Sequence, residues 1–216
     1  MTTNTDKPND LSYDHFANNV EPAIRIGRLK PNLKLIIGIP TVKRKVESYL
    51  NRTLRSLLKT NENDETFGIL ISIGETDEEY INGIGADIKA RFHDYVKNGR
   101  IEIISPSKSY YPNFEKVNSL NTLNDTANRV VWRQKQNLDY VFLWMNCIGR
   151  SEYFIQLEDD VNASINYLNF IYHKISNQTS SWFALEFCGL GFIGKLFQTE
   201  SLKVNQRNKL KTNESN

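Results

Sequence analysis

One stretch decides the fold of this chain: Glu152-Tyr153-Phe154-Ile155-Gln156-Leu157-Glu158-Asp159-Asp160. Its apolar run, residues 153–157, has the length and composition of a buried β-strand. The run stops at three adjacent carboxylates, and the next apolar periodicity, which starts near Ile165, is helical. The carboxylates are therefore predicted between a strand end and a helix start. In an open α/β sheet, ligands bind at that edge.

The carboxylate triplet alone leaves two interpretations open. Three like charges at the end of a buried strand repel one another, and a divalent cation relieves that repulsion. Hard cations such as Mg²⁺ or Mn²⁺ prefer oxygen ligands, which makes Glu158, Asp159 and Asp160 candidate metal ligands. The same residues can instead form a solvated turn that caps a helix predicted at 164–177.

Apolar strand patterns and helical stripes alternate along the chain from residue 33 onward. This alternation predicts an α/β fold, with a mostly parallel sheet and helices on both of its faces. Buried strands are predicted at 33–39, 66–73, 101–104, 153–157 and 182–187. Helices are predicted at 46–59, from Asp77 as N-cap to Gly99, at 125–148 and at 164–177.

The ends of the chain differ in composition from the middle. Residues 1–32 are polar and contain three prolines, which predicts a flexible N-terminal arm. Residues 203–216 are basic, rich in asparagine and without an apolar pattern, which predicts a disordered polar tail. A single domain is therefore predicted at 33–202.

Charge and hydropathy indicate neither a nucleic-acid partner nor a membrane span. The net charge is +2, from 27 basic and 25 acidic side chains. No run reaches the roughly 18 apolar residues that a membrane span needs, and residues 1–6 lack the apolar region of a signal peptide. The two cysteines, Cys147 and Cys188, lie in apolar surroundings and are predicted to be buried free thiols.

Polar features follow four of the predicted strands, and in a doubly wound sheet all four face one edge. A basic loop beside carboxylates suits a metal-bound diphosphate, and Glu75 can accept a hydrogen bond from a ribose hydroxyl. The basic loop alone is more typical of a solvated turn, but the four features together favour a nucleotide site. They are Pro40-Thr41 with Lys43 and Arg44, the turn 74–77, Ser105-Pro106, and Glu158-Asp159-Asp160.

Two further segments have open interpretations. The glycine-rich segment 189–194 is either a loop that closes over the site or a tight turn with Phe192 and Ile193 packed. Residues 132–140, which include Arg133, Lys135 and Gln136, form either a solvated helix face or a contact with nucleotide or phosphate.

Six motifs, in one order from about residue 33 to 202, resemble the conserved region of a known family. The family is the alpha-1,3-mannosyl-glycoprotein 4-beta-N-acetylglucosaminyltransferases, the N-acetylglucosaminyltransferases IV of N-glycan branching. The motifs lie at 37–44 (IGIPTVKR), 73–77 (IGETD), 104–112 (ISP with SYYP), 132–140 (WRQKQNLDY), 156–160 (QLEDD) and 190–197 (LGFIGKLF).

The resemblance implies a Rossmann-like nucleotide-binding sheet in a glycosyltransferase fold of the A type. The implied donor is UDP-GlcNAc with Mn²⁺, and the implied acceptor is the α1,3-linked mannose arm of an N-glycan, which receives a β1,4-linked GlcNAc with inversion. It also implies a Golgi location. Motif matching places Glu158, Asp159 and Asp160 at the metal position, with Asp160 the strongest candidate. The same matching places Thr41, Arg44 and Glu75 in the uridine region and Lys135 near the donor.

The sequence departs from the family pattern in two ways. No anchor helix is visible, and the resemblance stops near residues 197–202, so no catalytic base can be assigned. Two functions therefore stay open: an active GlcNAc-transferase, and a truncated, inactive homologue that binds UDP-sugar or a partner. A nucleotide-binding protein outside glycan synthesis fits the order of the motifs less well.

Overall fold

The structure is a computed structural model that describes residues 13–44, 48–59, 61–62, 64–114 and 125–202. Within these ranges, no helix is both long enough and apolar enough to cross a membrane. The strands are β1 (Ile24–Ile26), β2 (Leu33–Thr41), β3 (Phe67–Ile73), β4 (Ile101–Ser105), β5 (Ser151–Gln156), β6 (Leu185–Glu186) and β7 (Lys195–Gln198). The α-helices are α1 (Tyr13–Asn18), α2 (Leu50–Lys59), α3 (Glu78–Arg91), α4 (His93–Lys97), α5 (Ala127–Met145) and α6 (Tyr167–Ser176).

The strands of the described ranges form one sheet in the order β1-β4-β3-β2-β5-β7-β6. The four central strands β4, β3, β2 and β5 run parallel to one another, whereas β1, β7 and β6 pair antiparallel with their neighbours. The prediction of a mostly parallel α/β sheet is therefore confirmed. The chain builds outward from β2 to β3 and β4 and then returns to place β5 on the other side of β2. The strand order thus reverses between β2 and β5.

Apolar side chains cover both faces of the sheet. Leu35, Ile37 and Ile39 pack with α2, α3, α4 and α6 on one face, and Ile36 packs with α1 and α5 on the other. Successive residues of a strand point to opposite faces, so a strand that is buried on both faces appears in the sequence as an unbroken apolar run. The predicted helices on both faces are confirmed.

The first residues of the chain differ from the predicted flexible arm. The short strand β1 pairs with β4 over three residues, and α1 buries Phe16 beside Tyr110, with ring centroids 5.5 Å apart. Residues 13–32 are thus part of the fold, whereas residues 1–12 and the predicted tail at 203–216 lie outside the described residues.

A buried carboxylate anchors this N-terminal region. Glu102 on β4 has no exposed side-chain surface, and it accepts a hydrogen bond of 2.7 Å from the Leu29 backbone N–H. Arg25 of β1 and Arg150, just before β5, both pair with the same carboxylate. Since a buried carboxylate needs such partners, these residues attach β1 to the sheet.

The strand predicted at 182–187 is much shorter in the structure. Only Leu185 and Glu186 pair, and their partner is β7, a strand that the sequence analysis did not predict. In β7, which pairs antiparallel with β5, Leu196 and Phe197 are buried, whereas Gln198 is exposed.

The helices occur in the predicted order, but they begin and end at different residues from those predicted. The prediction at 46–59 begins at Leu50 in the structure, with 45–47 outside the described residues. The predictions at 125–148 and 164–177 correspond to α5 and α6. Asp77 is the predicted N-cap of α3 and accepts a hydrogen bond of 3.2 Å from the Tyr80 N–H. The helix predicted to reach Gly99 divides at Phe92 into α3 and α4.

One close contact in the central strand gives a test of the packing. A Cβ atom at Gly38 of β2 would lie 2.3 Å and 2.6 Å from two ring atoms of Phe154, which is fully buried. We expect Gly38→Ala to lower the free energy of unfolding by about 1–3 kcal/mol in urea titrations, because a crowded core must shift.

The matched control is Gly83→Ala in α3, where an added Cβ meets nothing within 4 Å. Alanine there should raise the free energy of unfolding by up to about 1 kcal/mol, through helix propensity alone. Equal effects of the two substitutions would contradict the close packing of Phe154 on β2.

Candidate functional site

The polar features predicted to follow the strands lie together at the carboxyl edge of the central sheet. The ends of β2 and β3 are held together there, because the Gly74 N–H donates to the Thr41 carbonyl at 2.8 Å. The segment after β5 continues beside β2, with the Leu157 N–H donating to the Gly38 carbonyl at 2.9 Å. We call this region, formed by Thr41, Arg44, Glu75 and 158–160, the charged edge.

Asp159 lies at the centre of the charged edge and faces inward. Only 4% of its surface is exposed. The Thr41 hydroxyl donates to one carboxylate oxygen at 2.5 Å, and the Arg44 guanidinium donates to the other. Asp159 therefore joins the end of β2 to the end of β5 across the point where the strand order reverses.

Helix α2 fixes the backbone that presents the three carboxylates. The Thr53 hydroxyl, fully buried, lies 2.8 Å from the Asp159 carbonyl and 2.9 Å from the Val161 carbonyl. The Ser56 hydroxyl accepts a hydrogen bond of 3.0 Å from the Ala163 N–H. Both side chains lie on the face of an amphipathic helix that packs against the sheet, so the segment 159–163 is held by the core itself.

Glu158 and Asp160 differ from Asp159 in their surroundings. The Asp160 side chain is 38% exposed, and one of its oxygens lies 3.4 Å from the Arg44 guanidinium. Burial raises the pKa of the half-buried Glu158, and the negative charges of Asp160 and Asp159 raise it further. The charged edge therefore keeps a local excess of negative charge after Arg44 has paired with Asp159.

The carboxylates do not converge on one point. In the described ranges, no group of three or more His, Cys, Asp or Glu side chains is arranged to hold a metal ion. Asp159 is already engaged by Thr41 and Arg44, whereas Glu158 and Asp160 are less buried. Their oxygens have the chemistry that a hard cation requires, and their mutual repulsion favours one. The metal role of Glu158, Asp159 and Asp160 stays a prediction.

Glu75 joins the charged edge from the end of β3. Its carboxylate accepts a hydrogen bond of 2.9 Å from the Lys43 backbone N–H, and its carbonyl accepts one of 2.7 Å from the Ser105 hydroxyl. Lys43 extends along the same side, with its ammonium 3.8 Å from Asp77 and 4.9 Å from the Tyr80 ring centroid. The turn after β3 is thus connected to the ends of both β2 and β4.

Lys135 reaches the same turn from α5. Its ammonium donates to the Gly74 carbonyl at 2.5 Å and to Asp139 at 2.9 Å, and it lies 5.0 Å from the Tyr111 ring centroid. The Tyr111 hydroxyl donates to the other oxygen of Asp139. Burial raises the pKa of Asp139 to about 6, although Lys135 and Tyr111 both act to lower it.

The glycine-rich segment 189–194 is a turn between β6 and β7. Phe192 stacks on Tyr140 of α5 and on Phe197 of β7, with ring centroids 5.8 Å and 6.1 Å apart. The Gly194 N–H donates to the Gln156 carbonyl at 2.8 Å. Of the two interpretations, the tight turn with a packed Phe192 is the one that the structure has.

An apolar cleft of about 560 Å³ lies beside this turn, between α6 and the segment 188–194. Leu157 and Val161 contribute to its wall, whereas Phe170 and Leu190 are strongly exposed at the same place. Its lining contains no charged side chain, and none of the three carboxylates belongs to it. The cleft therefore does not have the chemistry of a diphosphate site.

The structure brings the predicted residues together to different extents. Thr41, Arg44, Asp159 and Asp160 form one contact group, and Glu75 joins it through the segment 42–44. Lys135 contacts the Gly74 carbonyl at the same edge and is otherwise paired within its own helix.

Sequence reasoning gave no role to Asp139, Tyr111 or Thr53. One signal was present for Asp139, because it follows Lys135 by four residues and is the one charged residue in the otherwise apolar and aromatic run 138–144. An acidic residue on the buried face of a helix requires partners. Nothing in the sequence indicated that Tyr111 would be one of them.

The cysteine prediction is confirmed in part. Both thiols are free, and Cys147 is buried, but Cys188 is only half-buried at the start of the glycine-rich turn.

The sheet order and the position of the charged edge define an α/β domain of the Rossmann-like class. Residues 3–205 match the family model described as the MGAT4 conserved region, and the chain belongs to that family.

Curated relatives agree with this assignment. Alpha-1,3-mannosyl-glycoprotein 4-beta-N-acetylglucosaminyltransferase A of Bos taurus is 43% identical over 189 residues, which cover 86% of this chain and 35% of the relative. The enzyme of the same name from Xenopus tropicalis is 40% identical over 200 residues, covering 91% and 36%. Enzyme B of Homo sapiens is 40% identical over 189 residues, covering 86% and 34%. The chain spans about a third of the length of these relatives.

Solved structures are more distant. S. aureus TarS 1-349 is 13% identical, with a TM-score of 0.43, over 80% of this chain and 49% of that chain. A 4-diphosphocytidyl-2C-methyl-D-erythritolsynthase from Anaerococcus prevotii is 12% identical, with a TM-score of 0.47, over 83% and 76%. At these scores the fold assignment rests on the sheet topology alone.

The different burial of adjacent carboxylates gives a test of the charged edge. We expect Asp159→Asn to lower the free energy of unfolding by about 1–3 kcal/mol, because a neutral amide leaves Arg44 without its buried partner. Asp160→Asn, at an exposed side chain next in sequence, should change it by less than about 0.5 kcal/mol. Urea unfolding followed by circular dichroism measures both. A larger effect at Asp160 would reverse the assignment of these two residues.

Proposed function

We propose that this chain is a UDP-GlcNAc-binding domain of a glycosyltransferase that adds GlcNAc in β1,4 linkage to a mannose of the N-glycan core. One observation carries the proposal: Arg44, Thr41, Asp159 and Asp160 form a contact group at the reversal point of the sheet in a chain of this family. The names of the relatives support the choice of sugar and linkage, and the contact group in this chain supports the choice of site.

The charged edge has the groups that a nucleoside diphosphate requires. Arg44 is only 35% exposed at its side chain, and its guanidinium, with five N–H donors, uses some of them on Asp159 and Asp160. The others are available to phosphate oxygens. Glu75 and Thr41 place oxygen atoms beside the same loop, where ribose or base N–H and O–H groups can be recognised.

Mn²⁺ is part of the proposal. Asp160 and Glu158 would hold it, because they are the carboxylates of the triplet that Thr41 and Arg44 leave less engaged. When bound, the metal acts as a Lewis acid that stabilises the charge of the departing UDP. Asp159 has a different role in this scheme, since it orients Arg44 and holds the ends of β2 and β5 together.

The proposed reaction is a direct displacement with inversion. The acceptor hydroxyl attacks the anomeric carbon of GlcNAc, its proton passes to a carboxylate base, and the bond to UDP breaks. We assign the residues of this chain to donor binding and orientation. The base is not assigned to any of them.

The Golgi, which the family resemblance implies, is the proposed site of action, and the names of the relatives give a mannosyl-glycoprotein as the acceptor. The proposed partners are UDP-GlcNAc and the N-glycan of a glycoprotein.

Calorimetry with UDP-GlcNAc tests the proposal directly. We expect binding in the presence of Mn²⁺ and its loss with EDTA. Asp160→Asn should weaken Mn²⁺-dependent binding by at least about 10–100-fold, because removing a metal ligand costs no less than removing one of its supporting residues.

The matched control is Asp94→Asn. This exposed carboxylate belongs to α4, before β4 and therefore at the opposite edge of the sheet, where it pairs with His93 at 3.0 Å. The Asp94→Asn variant should bind UDP-GlcNAc with the same affinity as the unmodified chain. If the affinity for UDP-GlcNAc is unchanged by EDTA or by Asp160→Asn, the metal assignment is wrong.

A transfer assay with an N-glycan acceptor separates the two functions that the sequence left open. Binding together with transfer identifies an active GlcNAc-transferase. Binding without transfer identifies a UDP-sugar-binding homologue. Equal affinity for UDP-GlcNAc and for unrelated nucleotides would place the chain outside glycan synthesis.

A further inference from the structure

Two residues of α5, Lys135 and Asp139, contact the turn after β3, which is part of the charged edge. Lys135 was predicted to lie near the donor, and in the structure its ammonium donates to the Gly74 carbonyl at 2.5 Å and to Asp139 at 2.9 Å. The Tyr111 ring lies beside it, with the centroid 5.0 Å away. The ammonium is thus engaged on three sides by the protein and is directed at the turn after β3.

Asp139 holds this ammonium in place. Only 6% of Asp139 is exposed, and both of its carboxylate oxygens are hydrogen-bonded, one by Tyr111 and the other by Lys135. The carboxylate also packs flat against the turn itself. A Cβ atom at Gly74 would lie 2.7 Å, 2.9 Å and 3.0 Å from its three terminal atoms, so any other residue at 74 would displace Asp139.

The turn in contact with Asp139 carries the hydrogen bonds of the charged edge. The Gly74 N–H donates to the Thr41 carbonyl, and the Glu75 carboxylate accepts from the Lys43 N–H. A shift of residues 74–75 would therefore move the segment 42–44 and with it Arg44.

We propose that Asp139 is a positioning residue: it clamps Lys135 against the Gly74 carbonyl and so holds the turn 74–75 and the segment 42–44 in register. The effect of this clamp on UDP-GlcNAc rests on the proposed function, whereas its effect on the turn does not. In this scheme Lys135 acts on the donor through Gly74 and Glu75.

The charged groups around Asp139 make the clamp observable by pH. Burial raises its pKa to about 6, Lys135 and Tyr111 oppose that rise, and Glu75 adds to it. Tyr110 and Tyr140, which Asp139 also affects, stay neutral, because burial raises the pKa of both phenols. The folded state therefore favours protonated Asp139. This contribution to stability is complete below the unfolded pKa of about 4 and is lost as the pH rises through about 6.

Nuclear magnetic resonance of the ¹⁵N-labelled chain tests the clamp without any ligand. We expect the amide signals of Gly74, Glu75 and Lys43 to titrate with a midpoint near pH 6. In Asp139→Asn this titration should disappear and the three signals should be displaced. Affinity for UDP-GlcNAc with Mn²⁺ should fall about tenfold, as for residues that support a binding group.

The control is Asp125→Asn, which removes another acid near the start of the same helix. Asp125 pairs with Arg129 and Arg133, at 3.2 Å and 2.7 Å. The titration of the three amides should be unchanged in this variant.

Tyr111→Phe keeps the test decisive if Asp139→Asn does not fold. Loss of the Tyr111 hydrogen bond removes an interaction that lowers the pKa of Asp139, so the midpoint should move to higher pH. The proposal is overturned if the amides of residues 74–75 show the same pH profile in the unmodified chain and in Tyr111→Phe, or in the unmodified chain and a folded Asp139→Asn. If the unmodified chain titrates as expected but binds no UDP-GlcNAc, the proposed function fails and the clamp stands.

Discussion

The buried carboxylate of Asp159 is the constraint on which the charged edge depends. Parallel pairing of β2 with β5 brings together two strand ends that are more than a hundred residues apart in the chain, at the point where the strand order reverses. Thr41 and Arg44 from one end meet Asp159 from the other. A buried charge without partners would cost several kcal/mol, about 3–5 when one partner of a buried pair is removed. In this register Arg44 lies beside the carboxylate segment and supplies one of the two side-chain partners of Asp159.

In this arrangement the three adjacent carboxylates, Glu158, Asp159 and Asp160, have different surroundings. Asp159 loses its availability to a ligand because its oxygens are occupied, whereas Asp160 stays exposed beside the same guanidinium. Glu158 lies between these extremes, and its raised pKa reflects burial and the charges next to it. The anchoring of the Asp159 and Val161 carbonyls by Thr53 keeps these orientations distinct. A contiguous acidic triplet thus combines one structural carboxylate with two that are less buried and less engaged by the protein.

The sequence predicted the parts of the fold that local patterns encode. The runs that became β2, β3, β4 and β5 are buried on both faces, so composition alone identified them and their order predicted the parallel sheet. Strands β1 and β7 were missed, and β6 was predicted too long, for a physical reason: these strands are two to four residues long, and their pairing depends on tertiary context. The site was predictable to the same extent: Thr41, Arg44 and Glu75 could be located because they follow the ends of predicted strands. Asp139 and Tyr111 meet only in three dimensions.

Two buried acids therefore support the charged edge from its two sides. Asp159 fixes Arg44 from the segment after β5, and Asp139 fixes the turn after β3 from α5. The two parts are joined by hydrogen bonds from the Lys43 N–H to the Glu75 carboxylate and from the Gly74 N–H to the Thr41 carbonyl. Each acid pairs with a cation that is itself only partly exposed: Arg44 lies at the charged edge, and Lys135 is directed at the turn after β3. A substitution at either acid would change the position of a positive charge and not only the stability of the fold. Loss of donor binding in such a variant is therefore not evidence that the acid contacts the donor, and affinity has to be interpreted together with the state of the turn 74–75.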